Sequence, residues 1–181
     1  MDLRIQKTKN SIKAAFLELR EQKHLERITV KELAEKAMIN KATFYTHYAD
    51  IYDLQEQLED EAVLNVINQM PHPEYLYTDP KEGTKELIRG MVAKKDAFDS
   101  LFRNGREHYF PDKIDRHVKE FIYEHHPEYR DNVKINALLT ILTYGCFTAH
   151  MRYNTDKSED VIDVIGDVNE RLRDLYEQYK Q

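Results

Sequence analysis

The stretch that most constrains this chain runs over Thr29–Tyr48 and has the pattern of two short helices joined by a tight turn. Thr29 followed by Glu32 three residues later is a capping box, in which the hydroxyl accepts a bond from a free backbone amide and the carboxylate reaches back. The first helix then has one apolar stripe on its core side, formed by Val30, Leu33, Ala34 and Ala37. A turn at Met38-Ile39 is expected to follow.

The second helix of this stretch is expected to start at Lys41, because Asn40 is a good N-cap residue. Phe44 and Tyr48 are four residues apart and therefore share the buried face of the helix. The opposite face carries side chains that donate hydrogen bonds, namely Lys41, Thr43, Tyr45, Thr46 and His47. A short helix with a donor-rich outer face fits the major groove of DNA. The stretch therefore predicts a helix-turn-helix whose second helix reads DNA.

Roles for individual side chains follow from their chemistry. Lys41 is a point donor suited to a guanine or a phosphate, and Thr43 offers a methyl and a hydroxyl to a base edge. Long donors at the helix flank reach the backbone, so Tyr45 and His47 are expected at phosphates, with Thr46 in either role. The full set of expected DNA contacts is Thr29, Lys41, Ala42, Thr43, Tyr45, Thr46 and His47. The first helix adds Lys7, Thr8 and Lys9, which either touch phosphates or are merely solvated. For each residue taken alone, exposure without function is the alternative.

At these residues the sequence resembles the TetR family of bacterial transcriptional regulators. The matching run is Ala37-x-Ile39-Asn40-Lys41-Ala42-Thr43-Phe44-Tyr45-x-His47-Tyr48 and then Asp53-Leu54, while Ile12, Ala15, Phe16 and Leu19 fit the family's first helix. The resemblance implies an all-helical dimer that binds operator DNA through this motif and senses a ligand in its other domain. Two positions depart from the family pattern. Met38 stands where the turn usually has a glycine, and Ile51 replaces a lysine that usually contacts a phosphate.

Composition points to an all-α fold. The chain of 181 residues has only five glycines and five prolines, and it shows no strand-like alternation of apolar and polar residues. We expect a helix-turn-helix DNA-binding domain over residues 1–50 and a helical ligand-sensing and dimerisation domain over residues 51–181. The single cysteine excludes an internal disulfide framework and a multi-cysteine metal site. No signal peptide is recognisable, and the longest uncharged span, Ile135–Met151, is short and polar for a membrane helix. A cytoplasmic protein is therefore expected.

The net charge of −6 is unevenly divided along the chain. Residues 1–48 carry seven lysines and three arginines against one aspartate and five glutamates, a net charge of +4. Residues 49–181 carry 17 basic and 27 acidic groups, a net charge of −10. The basic part would neutralise phosphates, and the acidic part would be held away from DNA. This asymmetry supports the motif, although a charged run is often only a solvated face.

The last two predicted helices have the pattern of an assembly device. Asn132–Tyr153 is apolar on nearly every side in its middle, and Gly145 within it would permit close backbone approach. In Glu159–Lys180 the apolar residues are spaced as in a coiled-coil seam. The expected dimer interface consists of Gly145, Val161, Ile165, Val168, Leu172 and Leu175. Packing within one chain is the alternative for the seam.

Polar residues in the apolar helix mark a possible ligand pocket. Thr140, Thr143, Tyr144 and Thr148, together with His150, would line a cavity or bond between helices. Cys146 is expected to be a small buried residue, with a thiol switch as the alternative. His117, Glu120 and Glu124 form a weak metal pattern, and His125-His126 a weak pH-sensor pattern. The sequence contains no phosphate loop, catalytic pair or zinc motif, so we expect neither an enzyme nor a cofactor.

The sequence is therefore interpreted as a homodimeric repressor that binds a palindromic double-stranded operator and is released by a small-molecule effector. Two alternatives stay open. In the first, the protein is a co-regulator whose body binds a protein partner and has no ligand pocket. In the second, it is a helical enzyme or binding module that happens to contain a helix-turn-helix.

Overall fold

The structure is a computed structural model that describes residues 3–153 and 158–179. Over these residues the chain forms ten α-helices and no strand, which confirms the predicted all-α fold. The helices are α1 (Leu3–Gln22), α2 (Val30–Lys36), α3 (Lys41–Tyr45), α4 (Ile51–Asn68), α5 (Tyr75–Thr78), α6 (Pro80–Ala93), α7 (Lys95–Phe102), α8 (Tyr109–His125), α9 (Val133–Tyr153) and α10 (Ser158–Tyr179). The expected last residue of α10, Lys180, lies outside the described residues. None of the described helices has an apolar stretch long enough to cross a membrane.

The helices divide between two compact units. The first unit consists of Met1–Ala62 and Asp96–Glu107, and the second of Val63–Lys95 and His108–Gln181. The division falls inside α4, and most of α7 clusters with the first unit although it lies between segments of the second. The domain boundary at residue 50 stays a prediction.

The first unit has an apolar core built from the stripes of its helices. From α1 and α2 the buried side chains are Ile12, Ala15, Phe16, Leu19, Leu33 and Ala34. From α3, α4 and α7 they are Phe44, Leu54, Leu58, Phe98, Leu101 and Phe102. The periodic spacing of these residues puts each set on one helix face, and burying that face is the main source of stability for helices this short.

A charged network is buried beside this core. Glu59 of α4 is fully buried and accepts two hydrogen bonds from Arg106, at 2.5 and 2.9 Å. Gln55, one turn earlier, donates to Glu59 at 2.6 Å and to a backbone carbonyl of α7 at 2.8 Å. Arg20 of α1 is also buried and donates at 3.0 Å to the backbone carbonyl that follows α7. These bonds attach α7 to α4 and α1 within the first unit.

In the second unit, α10 packs against α6 and α9, and α8 packs against α9. Ion pairs cross from α6 to α10 along their exposed edge. They join Lys81 to Asp167 and Glu170, Lys85 to Asp163, and Arg89 to Glu159, at N–O distances of 2.7–3.0 Å. These pairs are mostly exposed, so each contributes little free energy, and together they favour one register between the two helices.

Candidate functional site

The start of α2 is fixed by one half of the expected capping box. The hydroxyl of Thr29 accepts a hydrogen bond from the backbone amide of Glu32 at 3.2 Å. The carboxylate of Glu32 does not reach back to Thr29; it accepts a bond from Lys23 in the connection after α1. Thr29 therefore caps the helix as predicted, while Glu32 ties α2 to the preceding segment.

The turn between α2 and α3 passes through the left-handed region of backbone space. Met38 has a φ of 54°, and its side chain is 92% exposed. The amide of Ile39 donates to the carbonyl of Ala34 at 2.9 Å, which closes the turn. A residue with a Cβ is strained at such a φ by about 1–2 kcal/mol, so Met38 stands where a glycine would be favoured.

Helix α3 is capped and anchored by the residues expected from the sequence. The side-chain oxygen of Asn40 accepts bonds from the amide of Thr43 at 2.7 Å and from its hydroxyl at 2.9 Å. Phe44 is fully buried and Tyr48 is 6% exposed. Because these two aromatic side chains fix the inner face, the opposite face of α3 is held toward solvent.

The outer face of the motif brings the predicted DNA-contacting residues together. Thr29, Lys41, Ala42, Tyr45 and Thr46 are exposed, and Thr43 and His47 are half-buried. Two hydroxyls on this face already donate within the motif, Thr43 to Asn40 and Thr46 to the carbonyl of Thr43 at 2.7 Å. Each hydroxyl oxygen still has acceptor capacity. A base donor is therefore the partner that Thr43 and Thr46 can take without losing a bond.

The start of α1 lies next to this face. Lys7 and Thr8 line a surface groove of about 450 Å³ together with Met38 and Ile39 of the turn. The basic end of α1 and the turn of the helix-turn-helix thus form one surface. The sequence offered Lys7, Thr8 and Lys9 as phosphate contacts, but it gave no signal that the exposed side chain of Met38 lies beside them.

The second unit contains a cavity of about 70 Å³ between α6, α8, α9 and α10. Its lining is mainly aliphatic, with Leu87, Ile88, Ile114, Val118, Leu139 and Leu142 among the contributing residues. Polar atoms come from a small group on three helices, namely Thr84, Thr143, Cys146, His150 and Asn169. Arg173, which is exposed, adds a charged group to the lining.

The predicted pocket residues occupy different environments. Thr143 and His150 belong to the cavity lining. The hydroxyl of Thr140 instead accepts a bond from Lys119 at 2.5 Å, outside the lining. Tyr144 and Thr148 are exposed and also lie outside it. The cavity residues that the sequence did not single out, above all Asn169, come from α6 and α10, which a pattern confined to α9 could not reveal.

Burial changes the acid–base chemistry of two cavity groups. His150 is 6% exposed, and burial lowers the pKa of its imidazole below the ordinary value. Burial raises the pKa of the Cys146 thiol to about 11, against a weaker opposing effect of Asn169. Both side chains are therefore neutral at pH 7. A buried thiol with a raised pKa is a poor nucleophile, which favours the interpretation of Cys146 as a packing residue over a thiol switch.

The residues expected at a dimer interface lie on two different faces of the last two helices. Ile165 is buried within the chain, Leu172 lines the cavity, and Val161 is half-buried. Val168 and Leu175 are exposed by 45% and 37%. Gly145 is exposed, and a Cβ added there would meet nothing within 4 Å.

Each of α9 and α10 has an exposed apolar stripe. On α9 it includes Ile141, exposed by 66%, and Met151, exposed by 54%. On α10 it starts with Val164, exposed by 63%, and continues through Val168 and Leu175. Ile141 and Val164 were not among the expected interface residues. The steps of four and seven residues from Val164 to Leu175 were present in the sequence and could have indicated this second stripe.

The weak metal pattern on α8 has another explanation. Glu120 accepts two hydrogen bonds from Arg130, at 3.0 and 2.8 Å, and Arg130 lowers the pKa of its carboxyl. Over residues 3–153 and 158–179, no group of three or more histidine, cysteine or acidic side chains is arranged to hold a metal ion.

Comparison with known proteins gives one distant relative to report. Over 104 residues the chain is 28% identical to YxbF, an uncharacterized HTH-type transcriptional regulator of Bacillus subtilis (strain 168). The match covers 55% of this chain and 27% of that relative, so it spans about a quarter of the relative's length. No family model matches the chain. No solved structure matches it either. Over about half its length, the chain is thus similar to a regulator of the helix-turn-helix type.

Proposed function

We propose that this chain is a DNA-binding transcription regulator of the TetR type, with α3 as its recognition helix. The observation that carries the proposal is the geometry of α3. Asn40 caps the helix, Phe44 anchors its inner face, and the donor-rich outer face is exposed beside the basic start of α1. A short helix held in this way can enter the major groove with its side chains toward base edges. The similarity to a helix-turn-helix regulator supports the same function.

The roles of the contact residues follow from their positions. Lys41 is exposed at the first position of α3, where a cation reaches either a guanine or a phosphate. Tyr45 and Thr46 are exposed at the end of the helix, and His47 follows them. We assign Tyr45 and His47 to the phosphate backbone and Thr43 to a base edge. Thr29 places the first amides of α2 toward a phosphate.

Homodimerisation through α9 and α10 is part of the proposal. Their exposed stripes contain Ile141, Tyr144, Val164, Val168 and Leu175, which are unusual on a surface that stays in water. Open space around Gly145 would allow a partner helix to approach the backbone closely. Two chains related by a two-fold axis would present two recognition helices to a palindromic operator.

The proposed mode of action is repression by occupancy of the operator, with release when a small molecule binds the cavity of the second unit. A ligand shifts the equilibrium toward release only if it binds the released state more tightly than the DNA-bound state. The mainly apolar cavity, with its neutral polar group, supports a ligand site.

The direct test is a gel-shift titration of the purified protein against DNA flanking its own gene. The proposal predicts saturable binding to one site that survives excess unrelated DNA. A Thr43→Ala variant should bind with relaxed base preference at one position in each half-site, measured with a set of single-base operator variants. Absence of sequence-specific binding by the dimer at low salt would reject the autonomous repressor.

A second function, a co-regulator controlled by a protein partner, is favoured by the cavity size. About 70 Å³ is small against the roughly 300–1,000 Å³ of pockets for drug-sized ligands. In this alternative the exposed stripes of α9 and α10 would bind a different subunit. The mass of the purified protein distinguishes the two functions, because a homodimer at micromolar concentration leaves these stripes covered by a second copy.

A further inference from the structure

The cavity of the second unit contains a buried polar atom that the fold leaves unsatisfied. Nδ1 of His150 is inaccessible to solvent and has no hydrogen-bond partner among the described residues. The histidine itself is more than nine-tenths buried and belongs to the cavity lining. Leaving such an atom unpaired costs free energy, so its presence beside a cavity points to a partner supplied from outside the chain.

The neighbouring polar groups are occupied with one another. Asn169 is 2% exposed and donates from its side-chain nitrogen to the hydroxyl of Thr84 at 2.6 Å. The thiol of Cys146 lies 3.9 Å from the side-chain oxygen of Asn169, the distance of a weak sulfur hydrogen bond. This chain of contacts links α6, α10 and α9 and satisfies its own members. His150, one turn beyond Cys146 on α9, is therefore the group left for a ligand.

We propose that this cavity binds a compact, neutral, mainly apolar molecule that carries one hydroxyl group, and that the hydroxyl pairs with Nδ1 of His150. The inference rests on the proposed function, in which an effector binds the second unit. A hydroxyl both donates and accepts, so it satisfies Nδ1 in either tautomer of a neutral imidazole. The aliphatic lining then takes the rest of the molecule.

Charge and size narrow the ligand class further. The pKa shifts of His150 and Cys146 keep both groups neutral, so nothing beside Nδ1 compensates a buried ionic group. Arg173 is exposed, and a carboxylate paired with it would stay in solvent rather than enter the cavity. A cavity of 150 Å³ holds benzene, so about 70 Å³ corresponds to roughly three or four heavy atoms. The ligand is of the size of a short-chain alcohol.

The test uses the full chain, with 1-propanol as the probe and propanoate and propylammonium as charged counterparts. Binding is followed by NMR from the methyl signals of the cavity leucines and isoleucines. A ligand this small binds with a dissociation constant on the order of 0.1–10 mM. The inference predicts saturable shifts with 1-propanol and none with either ion. It is overturned if an ion binds as well as the alcohol, or if 1-propanol gives no saturable shift of the cavity methyl signals.

The role of His150 is tested by the preference for 1-propanol over 1-propanethiol, because a thiol is a weak hydrogen-bonding group. This preference should fall about fivefold to tenfold in His150→Phe and stay unchanged in the control His108→Phe, which alters an exposed histidine of the same unit. An unchanged preference in a folded His150→Phe protein overturns the assignment. If that variant does not fold, His150→Gln serves, and the alcohol-against-ion comparison in the unaltered protein decides.

Failure of the ligand assignment and failure of the regulator are separable. Operator affinity is measured with and without saturating 1-propanol. Binding of the alcohol with no change in operator affinity supports the ligand class and rejects the proposed release. Specific operator binding by a protein that ignores the alcohol supports the regulator and rejects this inference.

Discussion

Asn40 and Phe44 have roles that are determined within about one helical turn of sequence. An N-cap side chain bonds to an amide three residues away, and a buried aromatic follows from spacing of four, so both roles are local and were predictable. Glu32 shows the limit. Its capping role was predicted from the same local pattern, but Lys23, nine residues earlier in the chain, takes the carboxylate instead. A competing partner outside the local window is not visible in the pattern.

Replacing Met38 by glycine should stabilise the first unit. Glycine adopts a φ of 54° without strain, and after its extra conformational entropy in the unfolded chain we expect a net gain of about 0.5–1 kcal/mol. The measurement is urea unfolding followed by circular dichroism. Met38→Ala is the control, because it keeps the strained φ and should change stability little. A destabilised Met38→Gly protein would contradict the strained turn.

Replacing Arg106 by leucine should destabilise the first unit strongly. Glu59 is fully buried, and loss of the guanidinium removes the two bonds that hold its carboxylate. Breaking one side of such a pair costs about 3–5 kcal/mol, whereas removing both charges costs less. A double-mutant cycle with Glu59→Gln measures this coupling. If the effects of the two substitutions simply add, the pair is not coupled as the structure indicates.

At the scale of elements, helix positions were largely predictable and helix faces were not. The caps, the prolines and the apolar spacing place the long helices, but the short helix α5 between two prolines has too few residues to show a period. On α10 a single spacing pattern hides two faces. Ile165 and Leu172 face the chain's own core, while Val164 and Val168 lie exposed. The sequence contains both sets, and only packing separates them.

The contact between α5 and α6 makes Gly83 irreplaceable. A Cβ at this position would lie 2.5 Å from the backbone carbon of Tyr75, and backbone cannot move aside as a side-chain tip can. We expect Gly83→Ala to cost about 1–3 kcal/mol or more, measured as a lowered melting temperature. Gly145→Ala is the matched control, because its Cβ meets nothing and should raise helix stability by up to about 1 kcal/mol. Equal melting temperatures for the two variants would contradict this packing.

At the scale of the whole molecule, the charge division and the exposed stripes belong to one proposal. The basic residues gather in the part that would meet phosphates, and the exposed apolar residues of α9 and α10 lie in the part proposed to pair. The charge division was readable from the sequence because it needs only residue counts. The cavity was not, because its lining comes from helices far apart along the chain.

Pairing through the stripes predicts that Val168→Glu gives a monomer. A carboxylate in an apolar interface has no partner, and we expect the dimer dissociation constant to rise at least about 100-fold. Light scattering coupled to size exclusion measures the mass. Val92→Glu, the same change at an exposed valine of α6, should leave the dimer intact. A wild-type chain that is monomeric at tens of micromolar would contradict the interface.

The central claim, that α3 carries the DNA contacts, is tested most directly by operator affinity measured across a salt series. Lys41→Ala should bind more weakly than the unaltered protein. Its salt dependence should be shallower by about one to two, since a dimer would lose one phosphate contact per chain. Lys134→Ala, the same change at an exposed lysine of the second unit, should leave both quantities unchanged. If Lys41→Ala binds with unaltered affinity and salt dependence, α3 is not the DNA-contacting helix at Lys41, and the account is contradicted.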